Sequence, residues 1–365
     1  MKLHTYDLTT YLYPIWRGKT VYHETALFVG EEDEAPLLFH PTKIVQVCNY
    51  GLTVCYKEGE DYLLNNGKIK RVKGSKIPYL EKETYYSKTP GAITIPIDLN
   101  KMPFSEPRYA MFGEKNTFTD YQISITYEHG VESVFPQKIL PKKATLSSEL
   151  IEKLTQKPMR VLFYGDSITT GCNSSGTDQG GHVAPYAESF PVMVVKKLQE
   201  VLGAQITYLN TAVGGWNTRQ GIVDMQARVI DQSPDLLILA FGMNDGGLPP
   251  AEYKNQISQI ISGLRQVHPN CYVLLVSPML PNPETTWFAN QGEYAAPLAE
   301  LAKETPKTFF ADVTALYAEI LNRKRYRDIT ANNVNHPNDF IARLYAQVIL
   351  ATILGDDVLQ AEEVL

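Results

Sequence analysis

Residues 160–171 read Arg-Val-Leu-Phe-Tyr-Gly-Asp-Ser-Ile-Thr-Thr-Gly. A run of bulky apolar residues between turn-forming residues is typical of a buried central strand in a parallel sheet. In open α/β sheets, ligands bind just beyond the carboxyl ends of the strands. Ser167 follows such a strand, so the stretch predicts an exposed turn that presents a serine hydroxyl where chemistry is expected.

Taken alone, this turn has a simpler interpretation. Gly165, Asp166 and Ser167 suit an ordinary β-turn, because Gly, Asp and Ser all favour turns. The nucleophile elbow of α/β-hydrolases, Gly-x-Ser-x-Gly, does not fit, because Thr169 stands in the place of the second glycine. The functional interpretation therefore depends on the residues downstream of this turn.

Beyond residue 171, predicted strands and helices alternate. Apolar runs predict strands at 206–209, 236–241, 272–276 and 308–311. Longer patterned segments predict helices at 191–202, 251–267 and 340–354, and another at 148–156 precedes the serine strand. Such alternation is the signature of a parallel sheet with helices on both faces, so the predicted fold class of this half is three-layer α/β.

The first 140 residues have a different pattern, in which Tyr, Thr and Val are common and short alternating segments are separated by Gly, Asn and Pro. This pattern predicts an all-β sandwich or jelly roll, whose aromatic residues we interpret as packing rather than as a carbohydrate platform. Asn-Asn-Gly at 65–67 predicts a hairpin, because Asn-Gly tolerates positive φ. The Pro- and Lys-containing connection at 140–144 predicts a boundary between an accessory β domain, 1–144, and an α/β domain, 145–365.

Three later stretches carry further polar and small residues. They are Ala-Val-Gly-Gly-Trp-Asn at 212–217, Phe-Gly-Met-Asn-Asp-Gly-Gly at 241–247 and Asn-His-Pro-Asn-Asp at 335–339. With 160–171, and in this order, they resemble the SGNH (GDSL-type) hydrolases, whose name records a Ser, a Gly, an Asn and a His. The resemblance implies a flavodoxin-like hydrolase domain, and the β-rich half before it makes the chain similar to two-domain carbohydrate esterases of this superfamily.

The resemblance implies a role for each of four residues. Ser167 would attack an ester carbonyl, and His336 would take its proton and later protonate the leaving alcohol. The backbone N–H groups of Ser167 and Gly214 and the side-chain amide of Asn244 would form the oxyanion hole. Gly214, Asn244 and His336 each suit an ordinary loop, but their joint occurrence favours the hydrolase interpretation.

The residue that orients the histidine departs from the family pattern. The family usually carries Asp three residues before the His, but position 333 is Asn. Asn333 can accept a hydrogen bond but offers no charge to the imidazolium, so Asp339 and Asp328 are alternative orienters. Asp339 also suits the N-cap of the last helix. We predict a Ser-His dyad held by a backbone carbonyl, with Asn333 as a bystander.

Several other residues near the motifs are candidates for the substrate pocket: Asp166, Trp216, Met243, Asp245, His182 and Trp287. Bulky Trp216 and Met243 beside the expected acyl site predict a preference for short acyl chains. Trp287 would equally anchor its loop to the core.

Composition and charge argue against several classes of partner and cofactor. The chain has 365 residues and a formal net charge of −6, which argues against nucleic acid or an anionic membrane as partner. Residues 1–7 contain no apolar export segment, so we expect a cytoplasmic location. The four cysteines form no C-x-x-C pair, although Cys48 and Cys55 would face each other across a hairpin. Since no His, Cys and Asp cluster has metal-ligand spacing, we expect neither a metal nor a cofactor.

The sequence therefore predicts a serine ester hydrolase that acts on short-chain, acetyl esters through an acyl-serine intermediate. The expected partner is a small-molecule or oligosaccharide ester, above all an O-acetyl group on a carbohydrate; a homo-oligomer is compatible with the sequence. Two alternatives are an acyltransferase, which uses the same acyl-enzyme, and a carbohydrate-binding protein with a decayed hydrolase domain.

Overall fold

The structure, a computed structural model, describes residues 6–130 and 135–359. The expectation of no export segment concerns residues 1–7, of which 1–5 lie outside the described residues. No helix in the described part of the chain is long and apolar enough to cross a membrane.

The β-rich half consists of short antiparallel strands and two small helices. Its elements are α1 (Leu8–Leu12), β1 (Thr20–Leu27), β2 (Glu34–Pro36), β3 (Pro41–Asn49), β4 (Tyr62–Asn65), β5 (Lys68–Arg71), α2 (Lys82–Tyr85), β6 (Tyr86–Ser87), β7 (Tyr109–Ala110) and β8 (Gln122–His129). Strand β8 lies between β1 and β3 in one sheet, β5 lies between β2 and β4 in another, and β6 pairs with β7. The all-β prediction for this half is confirmed.

Local sequence explains the hairpin between β4 and β5. Asn65 pairs with Lys68 across the turn, and Asn66 and Gly67 adopt φ of 47° and 77°. Both values lie in the left-handed region that a two-residue hairpin turn requires, which confirms the prediction from Asn-Gly.

The second half is an α/β layer structure. Its elements are α3 (Ser147–Gln156), β9 (Met159–Gly165), α4 (Ser167–Thr170), α5 (Phe190–Leu202), β10 (Ile206–Asn210), α6 (Thr218–Val223), β11 (Leu236–Ala240), α7 (Pro250–Val267), β12 (Tyr272–Val276), α8 (Ala295–Glu304), β13 (Thr308–Ala311), α9 (Val313–Leu321) and α10 (Asp339–Leu354). The sheet is parallel throughout and has the order β10-β9-β11-β12-β13. This is the flavodoxin-like order, whose ligand crevice opens where the strand order reverses, between β9 and β11.

Gly165 allows the chain to leave β9 at this crevice. A Cβ built at position 165 would lie 2.3 Å from the carbonyl oxygen of Ala240, in the neighbouring strand β11. Any side chain would therefore force the two strands apart at the point where the turn with Ser167 begins.

Helix α10 ties the two halves together. It is buried along its whole length and contacts α3, α5 and β13 as well as α1 and β1 of the β-rich half. A mostly apolar helix must be covered on most of its surface, which explains why both halves pack on it. Since α10 begins shortly after His336, this packing also fixes the end of the histidine loop.

Polar contacts also cross between the halves. The buried ion pair of Glu24 and Lys324 spans 2.6 Å, and Gln122 Nε2 donates to the carbonyl oxygen of Thr330 at 2.7 Å. One hydrophobic cluster contains residues of both halves, such as Ile125 and Phe163. The boundary at residue 144 remains a prediction.

The alternating pattern of the β-rich half predicts strands at 51–56 and 92–97, and both segments differ in the structure. Residues 51–56 form mainly a turn, in which Cys55 makes an isolated bridge to Cys48 as the hairpin interpretation expected. Residues 92–97 contribute only isolated bridges, and Ile97 pairs with Thr285 in the α/β half. The second segment is therefore used to contact the other half rather than to extend a sheet.

Candidate active site

Ser167 is the first residue of the one-turn helix α4, at the carboxyl end of β9. Asp166 caps this helix and accepts a hydrogen bond from the Ile168 N–H at 3.0 Å. Ser167 is only 5% exposed, so the prediction of an exposed turn is wrong. Loops from both halves surround the serine, which the local sequence pattern does not reveal.

His336 contacts the serine directly, with 2.8 Å between its Nε2 and Ser167 Oγ. The loop that carries His336 is held by Asn332, whose Oδ1 accepts the backbone N–H groups of Val334, Asn335 and His336 at 3.0 Å each. These bonds satisfy buried backbone donors and fix the imidazole before any substrate binds.

The other ring nitrogen faces two oxygen atoms. His336 Nδ1 lies 2.6 Å from Asn173 Oδ1 and 3.3 Å from Glu114 Oε2. Asn173 Nδ2 donates to the carbonyl oxygen of Lys115 at 2.9 Å, which turns the amide oxygen toward the ring. Nδ1 must therefore carry the proton, and Nε2 is left to accept the proton of Ser167, as a general base requires.

Neither predicted orienter contacts the imidazole. Asn333 has φ of 67°, and its side chain points to the β-rich half, where it accepts from Tyr85 Oη at 2.9 Å and donates to the Met111 carbonyl at 3.0 Å. Asp339 instead accepts from the Ser175 N–H at 3.0 Å. The left-handed backbone at 333 turns the side chain away from the ring, so Asn333 is a structural anchor.

Three related expectations also change. Asn338, and not Asp339, caps α10 by accepting from the Ile341 N–H. Asp328 accepts from the Leu27 N–H at 2.9 Å and pairs with Arg325. Side-chain oxygens of Asn173 and Glu114, rather than a backbone carbonyl, face His336 Nδ1.

Gly214 and Asn244 line the same cavity as Ser167 and His336. Asn244 Nδ2 donates to the carbonyl oxygen of Trp216 at 2.9 Å, which orients the amide and leaves its second N–H for a ligand. A Cβ at Gly214 would lie 3.8 Å from the Cβ of Ser167, in space that a substrate oxygen would enter. The structure thus brings all four motif residues together.

This arrangement agrees with the family match of residues 163–344. The α/β half belongs to the GDSL-like lipase/acylhydrolase family. A curated relative of this family member, an arylesterase of Vibrio mimicus, is 25% identical over 124 residues, which make up 33% of this chain and 56% of the relative. The match thus spans little more than half of the relative's length.

Solved structures of esterases are also similar to this family member. A catalytic mutant of an acetylxylan esterase from Geobacillus stearothermophilus is 21% identical, with 54% of this chain and 94% of that chain covered and a TM-score of 0.45. A two-domain esterase active on acetylated mannans is 21% identical, with 60% of this chain and 56% of that chain covered and a TM-score of 0.47.

The cavity at the GDSL-type site has a volume of about 520 Å³ and is built by both halves. The β-rich half contributes Ile93, Ile95, Phe112, Glu114 and Lys115. The α/β half contributes Ser167, Cys172, Gln179, Gly214, Gly215, Asn244, Trp287, Val334, Asn335 and His336.

Of the six predicted pocket residues, only Trp287 lines this cavity. Asp166, Asp245 and Met243 are buried and do not line it. Trp216 packs against the guanidinium of Arg228, and His182 lies in an exposed loop beside Tyr186. The expected short-chain pocket of Trp216 and Met243 is therefore not formed, because both side chains pack into the α/β half.

Burial shifts the pKa values of two carboxyl groups near the site, Asp166 and Glu114. The pKa of Asp166 is raised to about 7, chiefly by burial and also by the charge of the nearby Asp245, against the opposing effect of backbone N–H groups. Burial also raises the pKa of Glu114, but hydrogen bonding and the charge of His336, with the Asn332 and Asn173 amides, lower it by more. The net pKa of Glu114 is below its ordinary value, so this carboxyl group is ionised at neutral pH.

Sequence reasoning missed Asn173, Glu114 and Asn332. Asn173 lies six residues after the nucleophile in a Cys-Asn-Ser-Ser stretch, which reads as a turn. Glu114 is far from every motif in sequence, and no local pattern links it to His336. Asn332 lies beside position 333, where the orienter of His336 was expected, and its polar side chain was the one sequence signal for its role. Among the described residues, no group of three or more His, Cys, Asp or Glu side chains forms a metal site.

Proposed function

We propose that this protein hydrolyses carboxylic esters through an acyl-serine intermediate. The contact between His336 Nε2 and Ser167 Oγ, 2.8 Å long, carries this proposal. The hydrogen bond from His336 Nδ1 to Asn173 also fixes the tautomer in which Nε2 can accept the serine proton. The arylesterase relative supports the same reaction class.

The residues account for each step of the reaction. Ser167 Oγ attacks the ester carbonyl while its proton passes to His336 Nε2, and the N–H groups of Ser167, Gly214 and Asn244 stabilise the oxyanion. The tetrahedral intermediate collapses as Nε2–H protonates the leaving alcohol. Water then gives a proton to Nε2 and attacks the acyl carbonyl, and the second tetrahedral intermediate collapses as Nε2–H returns that proton to Ser167 Oγ and the acid departs.

We propose an acetylated carbohydrate as the substrate. The rim of the cavity combines aromatic side chains, Phe112 and Trp287, with hydrogen-bonding ones, Gln179 and Asn335. A sugar ring offers an apolar face and a hydroxyl-bearing edge, which this combination suits. The acetyl group follows from the resemblance of the sequence to carbohydrate esterases.

Hydrolysis suits the site better than acyl transfer. An acyltransferase must keep water from its acyl-enzyme, whereas residues around this cavity are open to solvent: Ile93 is 56% and Trp287 38% exposed. The formed contact between Ser167 and His336 also argues against a decayed, purely carbohydrate-binding domain, in which such geometry has no use.

The first prediction tests the nucleophile. Ser167→Ala is expected to lower kcat on an acetyl ester by several orders of magnitude, as removal of a serine nucleophile does in related chemistry. A fluorophosphonate probe should label wild type at Ser167 and leave the variant unlabelled, as mass spectrometry of peptides would show. Ser174→Ala, which removes a similarly buried hydroxyl, is the control and should retain activity and labelling. Near wild-type turnover in Ser167→Ala would refute the serine mechanism.

A substrate panel tests the finer proposal in the same assay. Wild type is compared on acetylated oligosaccharides, aryl acetates and aryl esters of longer acids, with Ser167→Ala as background. Higher kcat/KM on acetylated sugars than on aryl acetates is expected. Higher kcat/KM on octanoyl than on acetyl esters, or acyl transfer to an added alcohol that outpaces hydrolysis, would contradict it.

A further inference from the structure

We propose that Glu114 of the β-rich half, acting with Asn173, positions His336 and supplies the negative charge that the family usually draws from Asp at the position of Asn333. The inference rests on the ester-hydrolase proposal and deepens it. It makes the first half of the chain a component of the catalytic site rather than an accessory.

The side-chain oxygens of Asn173 and Glu114 have different roles toward His336. Asn173 Oδ1, at 2.6 Å, is the closer acceptor for the Nδ1 proton and sets the ring orientation. An amide is neutral, however, so it cannot balance the positive charge that forms on the imidazole. Glu114 Oε2, at 3.3 Å from the same Nδ1, provides that charge.

Glu114 is held in place from three sides. Asn332 Nδ2 donates to Glu114 Oε1 at 3.3 Å, and the same Asn332 fixes the histidine loop through its other amide atom. The next residue, Lys115, accepts from Asn173 through its carbonyl. Thr117 Oγ1 donates to the Glu114 carbonyl at 2.8 Å and closes the turn. The loop of Glu114 and Lys115 thus contacts Asn332, which holds the histidine loop, and Asn173, which bonds to the imidazole.

The charge environment favours a carboxylate in this role. Burial raises the pKa of Glu114, but the hydrogen bond with His336, the charge of its ring and the Asn332 and Asn173 amides together hold the pKa below its ordinary value. Besides Glu114, the titratable side chains that line the cavity with His336 are Lys115 and Cys172, and neither supplies a negative charge in its usual form at neutral pH. Glu114 is 44% exposed at its side chain, so solvent weakens its effect relative to a buried Asp.

The test compares Glu114→Gln with Glu106→Gln. Glu106 is a similarly exposed carboxylate of the same half, 49% at its side chain, that pairs with Lys88. Glu114→Gln is expected to lower kcat about 10- to 100-fold, less than the roughly 10⁴-fold loss in a triad with a buried Asp. KM should change less than about threefold, since the substrate contacts are retained. Glu106→Gln should leave both constants within about twofold of wild type.

A second readout does not depend on catalysis. The ring proton signals of His336, assigned with a His336→Asn variant, are titrated by NMR in wild type, Glu114→Gln and Glu106→Gln. Removal of a neighbouring negative charge disfavours the imidazolium, so the midpoint for His336 should move to lower pH in Glu114→Gln only. An unchanged free energy of unfolding in Glu114→Gln, measured by urea unfolding beside the titration, distinguishes loss of the neighbouring charge from a loosened fold.

The outcomes separate the two proposals. If wild type and Ser167→Ala behave alike on every ester, the function proposal fails, whereas the NMR shift still tests the contact. If wild type is active and Glu114→Gln retains kcat within about twofold with an unmoved His336 midpoint, the role of Glu114 is refuted. An equal loss of activity in Glu106→Gln would also refute it.

Discussion

Asn333 shows how one residue can keep its place in a family pattern and change its task. The side chain is fully buried and joins the histidine loop to Tyr85 and to the Met111 carbonyl of the β-rich half. Its φ of 67° directs the side chain to these partners and away from the ring. The departure from Asp is therefore explained by the contact with the β-rich half.

We predict that Asn333→Asp, which recreates the usual family residue, does not increase kcat. The carboxylate would still point away from His336 and would face the Met111 carbonyl, an acceptor that cannot bond to it. A lost bond and a buried charge should lower the free energy of unfolding by about 1–3 kcal/mol or more. Steady-state kinetics and urea unfolding measure both effects. A rise in kcat above wild type would show that position 333 does reach the imidazole.

At the scale of elements, the strand ends of the α/β half were predictable. Each apolar run ends in turn formers, and parallel strands bring their carboxyl ends to one edge, so Ser167, Gly214 and Asn244 had to meet. Helix bounds followed from start and stop residues, as Pro191 and Gly203 illustrate for α5. Glu114 could not be predicted, because its loop reaches the site through tertiary packing between the halves, which leaves no periodic signal in the sequence.

The turn between β9 and α4 carries a pH-dependent contribution to stability. Burial holds the pKa of Asp166 at about 7, far above its ordinary value of 3.8. Below about pH 4 the carboxyl group is protonated in both the folded and the unfolded state. As pH rises toward 7, the unfolded state loses the proton first, so the folded state is progressively destabilised. Asp339, with a pKa raised by burial to about 6, acts in the same direction.

Asp166→Asn should therefore reduce the loss of stability between pH 5 and pH 8. The amide oxygen can still accept from the Ile168 N–H and cap α4, while no charge is buried at higher pH. The measurement is the difference between the urea-derived free energies of unfolding at the two pH values. Asp98→Asn is the control, because the pKa of Asp98 is lowered and its titration lies below this window. Equal differences in wild type and Asp166→Asn would contradict the prediction.

For the whole molecule, the two halves share one core although the sequence predicts two domains. The change in composition near residue 144 reflects a change of secondary structure, and it says nothing about how much surface the halves bury together. The cavity is lined by both halves, since Phe112 and Glu114 of the β-rich half line it together with Ser167 and His336. A catalytic site between the halves requires that their relative position be fixed.

Removal of the buried ion pair between Glu24 and Lys324 tests whether the two halves unfold together. Both side chains are fully buried. Lys324 also donates to the Pro36 carbonyl, and Glu24 accepts from Tyr127 Oη. Lys324→Met leaves an uncompensated buried carboxylate, which should cost about 3–5 kcal/mol of unfolding free energy. Lys43→Met removes the exposed pair with Glu128 and should cost less than about 1 kcal/mol.

Tryptophan fluorescence can follow each half separately in this experiment. The chain has three tryptophans, of which Trp16 lies in the β-rich half and Trp216 and Trp287 in the other. Variants that retain only Trp16 or only Trp216 should give superimposable urea transitions, because a shared core makes unfolding cooperative. Lys324→Met should move both transitions equally to lower urea concentration. If only the Trp16 transition moved, the halves would be independent domains, and the predicted boundary at residue 144 would separate two folding units.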